Sequence, residues 1–292
     1  MASSTTFPET AATPKKAASP KKHTTEPLWV KLLLRTVTIT YVFFLVAWPT
    51  SMVFKNAFAD GTQTVVDALT DPDVTHALRL TALITVIAVV INLVFGVSIS
   101  LLLVRYDFVG KRVLSALLDV PLSVSPVVVG LALVLVYNGR DGWFGPTLES
   151  WGYQVIFATP GMVMATVFVA LPLVIREVVP VLTELGDDQE QAARSLGANA
   201  VQTFRRITLP AIKWAVVYGV VLSLARSLGE FGAVKIVSGN LVGQTQTATL
   251  VVEEKYQNFE QASSYAVAAL LALAAIICLI IVSVLRPKED DQ

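Results

Sequence analysis

Gln191-Ala192-Ala193, then three residues, Gly197, nine more residues, and Ile207-Thr208-Leu209-Pro210 form the stretch whose reading decides the fold. It is polar, partly charged and small at its centre, and it separates two long apolar segments. The amides and charges of such a loop cannot be satisfied in hydrocarbon; they need water or a protein partner. The chain therefore reads as an integral membrane protein that carries an exposed platform.

Local signals give the platform a shape. Gly186 is placed to end the preceding segment in a left-handed conformation. Asp187 and Asp188 suit the start of a short helix, where carboxylates meet the positive end of the dipole. Residues 189–196 continue that helix, Gly197 stops it, and residues 201–206 form a second short turn of helix. Pro210 suits the first turn of the next span. Ala192, Ala193 and Gly197 keep one face slim enough for close backbone approach, and Leu196 and Ile207 are expected to anchor the loop from beneath. An ordinary amphipathic connector would use similar residues.

Outward from the loop, the composition agrees with a lipid environment. Of 292 residues, 54% are hydrophobic and 15% charged, against roughly 45–50% and about 25% in soluble domains. Six segments reach the roughly 20 apolar residues a span needs: 36–54, 80–104, 113–137, 155–179, 211–237 and 262–285. Residues 1–35 read as a disordered basic tail, 36–286 as the membrane domain with its loop at 180–210, and 287–292 as a short C-terminal tail. Lys15, Lys16, Lys21, Lys22, Lys31, Arg35, Arg105, Lys111, Arg112, Arg176, Arg194, Arg205, Arg206, Lys213, Arg286 and Lys288 fall on one side, against Lys55, Arg79, Arg140, Lys235 and Lys255 on the other. That bias puts both termini and the loop in the cytoplasm.

The composition also excludes. The formal net charge is zero, so nothing draws the chain to nucleic acid. Cys278 is the lone cysteine, and His23 and His76 lack companion ligands, so no intrachain disulfide and no metal site is expected. No nucleophile is set beside a base, so no catalytic residue is assigned. Gly110-Lys111-Arg112 lacks the spacing and the hydroxyl of a phosphate loop, so ATP hydrolysis is not expected in this chain.

The spacing of residues 191–210 resembles the EAA loop by which permeases of ABC importers dock on their ATPase subunit, with Gln191 at the usual glutamate and Glu190 just before it. Further stretches are similar to the CysW-type permeases of sulfate/thiosulfate ABC importers. They are residues 119–131 (Asp119-Val120-Pro121 through Gly130-Leu131), Gly142-Trp143-Phe144-Gly145-Pro146 with residues 157–163, and Arg226-Ser227-Leu228-Gly229-Glu230-Phe231-Gly232 with Val237-Ser238-Gly239. The resemblance implies an all-α membrane protein of six transmembrane helices with the type I, MetI-like permease architecture. It implies a homologous permease as heterodimeric partner, two ABC ATPase subunits that hold ATP and magnesium, and an extracytoplasmic sulfate-binding protein. This chain would bind no cofactor itself. Glu190, Gln191, Ala192, Ala193, Gly197, Ile207, Leu209 and Pro210 would form the ATPase-coupling surface. The location implied is a bacterial plasma (inner) membrane, with a plastid envelope as the alternative.

Candidates for handling the anion follow from the residues. Pro121 and Pro126 interrupt the third span, and a broken helix at membrane depth lines a cavity or is buried in protein. Ser123 and Ser125 offer uncharged donors there; a neighbouring helix filling the kink is the other reading. Arg226 and Glu230 are four residues apart on one helical face, either as pathway cation and partner or as an ion pair that fixes packing. A molybdate or tungstate permease shares the Arg-x-x-Gly-Glu-Phe-Gly feature and is the nearest alternative. A stand-alone secondary transporter or channel would need internal repeats or a filter, and neither is evident.

Overall fold

The computed structural model describes residues 27–285; most of the expected basic tail, and Arg286 and Lys288, lie outside the described residues. By internal contacts the chain divides into Met1–Pro49 and Thr50–Gln292. In the first unit the chain is helical from Leu28, with a π-helical turn at Phe43–Ala47 and no buried residue in either element. Helix thus begins ahead of residue 36, because Leu28, Trp29, Val30, Leu32, Leu33 and Leu34 extend the apolar run.

All regular structure among the described residues is helical. We number the helices α1 (Leu28–Ala57), α2 (Thr62–Thr70), α3 (Pro72–Arg105), α4 (Lys111–Ser123), α5 (Pro126–Tyr137), α6 (Gly145–Ser150), α7 (Thr159–Leu185), α8 (Asp188–Ser195), α9 (Ala200–Leu228), α10 (Gly232–Ser238), α11 (Ala248–Gln257) and α12 (Gln261–Leu285). Helices α1, α3, α7, α9 and α12 are long and apolar enough to cross a membrane, giving 5 candidates, or 6 if α4 and α5 count as one bent span.

Two expected spans take a different form. The segment 113–137 is not one rod: α4 and α5 meet at 113°. At 1.5 Å per residue each is only about 20 Å long, short of the roughly 30 Å hydrocarbon core. The break falls at Val124 and Ser125, both extended, because Ser125 precedes Pro126 and is pushed out of the helical region. Pro126 then opens α5, whereas Pro121 lies inside α4 and is buried. The span expected at 211–237 ends at Leu228; Gly229, Glu230 and Phe231 form a turn, and α10 starts afresh at Gly232.

The packing of the second unit differs from that of a soluble helix in its outer face. The buried face of α3 mixes Leu80, Ile84, Val89 and Val97 with Thr81, Thr85, Asn92 and Ser100, whereas the opposite face, with Leu83, Val86, Val90 and Val94, is apolar and exposed. Lipid tails are as apolar as these exposed side chains, so helices associate through close packing and interhelical hydrogen bonds rather than hydrophobic burial. Asn92 Nδ2 donates to Ser223 Oγ at 3.4 Å and thereby links α3 to α9. Val174 of α7, fully buried, is the point on which Gly96 of α3 and Gly219 of α9 close. Val97, Val178, Leu182, Ile212 and Ala215 complete that layer. A second layer joins Leu80, Met162, Val169, Val234 and Leu250, so that α10 packs against both α5 and α7.

Candidate functional site

The loop between α7 and α9 is built from strong local signals. Gly186 ends α7 at φ 62°, and Asp187 precedes α8. At the far end Ala198 N–H donates to Ala193 O (3.0 Å) and Gly197 N–H to Arg194 O (2.9 Å), with Gly197 at φ 88°. This is the Schellman arrangement, which a residue with a β-carbon adopts only with strain. Asn199 and Gln202 then form a reciprocal capping box that starts α9. The second part of the loop is not a separate short helix. It runs through a π-helical turn at Phe204–Thr208 directly into the long helix.

Glu190 holds the loop to the membrane helices. It is only 7% exposed. Arg105, the last residue of α3, meets it with two prongs, Nε to Oε2 at 3.1 Å and Nη2 to Oε1 at 3.2 Å. The same guanidinium donates to Leu182 O (3.1 Å) and Gly186 O (2.7 Å) at the end of α7. Thr208 donates its hydroxyl to Glu190 Oε1 at 2.8 Å. The electrostatics are matched at both ends: Arg105 sits at the negative C-terminus of α7, and Glu190 lies in the first turn of α8. Beyond α3, the hydrogen bond and charge of Lys111 hold the Asp107 carboxyl below the usual carboxylate range.

Opposite Glu190, the loop presents a slim surface. Gln191, Ala192 and Gly197 are exposed and Ala193 is half-buried; Gln191 Nε2 donates to Asp187 Oδ2 at 2.8 Å. Leu196, expected to anchor the loop from beneath, is instead 90% exposed and points away from the bundle. Ile207 is half-buried, and Leu209 and Pro210 are exposed along α9. The anchoring role falls to Glu190, Thr203 and Thr208, all buried. Sequence reasoning missed Arg105 and Thr208. Arg105 stood out only as a charge that sets orientation, and its partner lies 85 residues away.

The second cluster lies where α9 ends. Arg226 Nη1 meets Glu230 Oε2 at 2.7 Å, with the arginine side chain 38% exposed and the glutamate 2% exposed. The other glutamate oxygen, Oε1, accepts the Ala233 N–H at 3.0 Å and so caps α10; Thr249 Oγ1 donates to the Glu230 carbonyl at 2.9 Å. Glu230 is therefore committed to the turn. Gly232 packs against Pro126 and Val127, which brings this turn to the elbow between α4 and α5. Ser123 and Ser125 are exposed on that elbow. Ser123 Oγ donates to Asp119 O at a long 3.4 Å, and Ser125 does not cap α5.

With this geometry in view, the comparisons place the chain. A family profile described as "Binding-protein-dependent transport system inner membrane component" matches residues 93–289. The chain is 46% identical to the sulfate transport system permease protein CysW of Synechococcus elongatus, over 89% of this chain and 91% of that protein. It is 43% identical to the protein of the same name from Escherichia coli K12, over 93% of this chain and 94% of that protein. A bacterial alginate ABC transporter, solved with its alginate pentasaccharide-bound periplasmic protein, shares the fold: TM-score 0.70 and 16% identity over 88% of this chain and 92% of that chain. Two exposed surfaces, one braced from within by a buried ion pair and one at a broken helix, thus lie on a known scaffold. The chain belongs to the binding-protein-dependent inner membrane components and, among them, to the CysW-type permease subunits of ABC importers.

Proposed function

We propose that this chain is the membrane subunit of an ATP-driven importer that carries sulfate and thiosulfate into the cytoplasm. One observation supports the coupling role above others. Helix α8 and the turn that ends it leave Gln191, Ala192, Leu196 and Gly197 exposed while Glu190 fixes the inner side, as a docking surface for an ATPase requires. The anion class rests on the relatives named above, both sulfate permeases by name.

The assembly we infer pairs this chain with a homologous permease and sets two ATPase subunits, which hold ATP and magnesium, beneath α8. An extracytoplasmic binding protein delivers the anion; the periplasmic protein seen with the alginate transporter supports that arrangement. The membrane is the plasma membrane of a bacterium, with both termini inside. Along the pathway, Arg226 offers a charged donor. Ser123 and Ser125 offer neutral ones near the positive end of α5. Weak donors of this kind let a dianion enter and leave; a strong trap would slow release.

The test is purification of the intact complex, identification of its subunits and reconstitution in liposomes. ATP-dependent uptake of radiolabelled sulfate, competed by thiosulfate, is expected. Stronger competition by molybdate would make the chain a molybdate or tungstate permease. Sulfate uptake by this chain without an ATPase would make it a secondary transporter or channel. Either result overturns the proposal.

A further inference from the structure

The ion pair beneath the docking loop has a mechanical setting. Helix α8 is joined to the bundle at both ends by glycines, Gly186 at φ 62° and Gly197 at φ 88°. Neither has any neighbouring atom within 4 Å of where a β-carbon would stand, so no side chain packs over either joint; Gly186 O is held by Arg105 and Gly197 by the bonds that close α8. Between them, the buried side of the helix is the Glu190 carboxylate, and that carboxylate is gripped by Arg105 and Thr208. Arg105 ends α3, and its remaining donors hold the last carbonyls of α7; Thr208 belongs to α9. One carboxylate therefore ties α8 to α9 directly and, through Arg105, to α3 and α7, alongside the chain's own turns at the two glycines.

We propose that Arg105 and Glu190 are positioning residues for coupling: a force applied to α8 enters the bundle through this clasp, at the cytoplasmic ends of α3 and α7, rather than along the chain through the two glycines. The geometry requires arginine. Its planar fork serves Glu190 and two carbonyls at once, whereas a lysine is a point charge on a flexible stem. The inference rests on the reading that an ATPase docks on α8.

The experiment uses the whole reconstituted complex and reads sulfate transported per ATP hydrolysed, alongside the yield of assembled complex. R105K keeps the charge and loses the fork. It is expected to assemble and to hydrolyse ATP near the wild-type rate, while sulfate moved per ATP falls by about tenfold, within the range of coupling between distant sites. T208V, which removes one hydrogen bond at similar size, is expected to lower the ratio about twofold to threefold, and it reads the same ratio if R105K assembles poorly. In a C278S background, R105C/E190C bridged by a neutral bifunctional thiol crosslinker restores the ratio, because a covalent tie replaces the ionic one.

A purely structural clasp would lower yield and both activities together and leave the ratio unchanged; that result overturns the proposal. So does a crosslinked complex that remains uncoupled. A wild-type complex that contains no ATPase overturns the reading beneath it, and the two failures are told apart by subunit composition alone.

Discussion

A β-carbon placed on Gly219 would stand 2.8 Å from the Cα of Val174, so α9 and α7 cross with their backbones nearly touching. Gly96 approaches the same valine from α3, with Val174 Cβ and Cγ1 at 2.8 Å. Rotation about χ1 moves Cγ1 but not Cβ, whose place the backbone fixes, so neither site has room for a methyl group. Gly219→Ala and Gly96→Ala are therefore each expected to destabilise by about 1–3 kcal/mol, the usual cost of overpacking. Unfolding of the purified protein in detergent, followed by accessibility of Cys278 to a thiol reagent, measures both variants; wild-type stability in either would contradict the contact at that glycine.

Glu230 carries two duties, and they separate by substitution. Glu230→Gln keeps an oxygen for the Ala233 N–H and gives up the charge opposite Arg226, so assembly is expected to survive with reduced stability. Glu230→Ala removes the cap and leaves the partly exposed Arg226 without its partner, a loss on the order of 1–3 kcal/mol. Recovery of folded protein by size-exclusion chromatography distinguishes them: the alanine variant is recovered in lower yield than the glutamine variant.

Arg226 is the more exposed member of that pair. If it serves the anion, Arg226→Ala in a Glu230→Gln background, which leaves no buried charge unpaired, abolishes sulfate uptake and leaves the complex assembled. Uptake at the wild-type rate by this variant would remove Arg226 from the pathway. Ser125→Ala, on the adjoining elbow, is expected to raise the KM for sulfate and to leave stability within about 0.5 kcal/mol, since the serine is exposed.

Leu196 sits at the crest of the loop between α7 and α9 with almost its whole side chain in solvent. Leu196→Asp costs the permease itself little, about 0.5 kcal/mol or less. It is nevertheless expected to reduce co-purification of the ATPase at least tenfold, because an unpaired carboxylate would be desolvated in the contact. Gly197→Asp combines the same charge with a strained positive φ and is expected to uncouple hydrolysis from uptake. Permease yield measured beside ATPase yield separates docking from folding.

Much of this architecture was legible because its causes are local. Apolar runs long enough to cross a bilayer, the glycines that end α7 and α8, the aspartates at the start of α8 and the proline that opens α5 all act within a few residues. The break in the third segment was legible as two prolines, but its 113° angle was not, since that depends on what α5 packs against. The early end of the fifth span was hidden as well. Arg226 through Val237 reads as a largely apolar helix with one ion pair, and the structure shows the restart in the turn at residues 229–231 and in the Ala233 N–H that donates to Glu230 Oε1. Leu196 misled for a related reason: an apolar residue in a polar loop suggests burial, yet here the inward position belongs to a glutamate whose arginine lies on another helix.

The contact between α5 and α10 bears on how the protein is made. A β-carbon on Gly130 would fall 2.7 Å from the carbonyl oxygen of Ala233, so the inner face of α5 is covered by a helix translated long after it. At seven residues, α10 is too short to hold its shape unaided, and Glu230, made just before it, caps its first turn. A nascent chain halted before Gly232 would thus lack the helix that closes over Gly130, and α5 would retain its smaller contacts with α6 and α7.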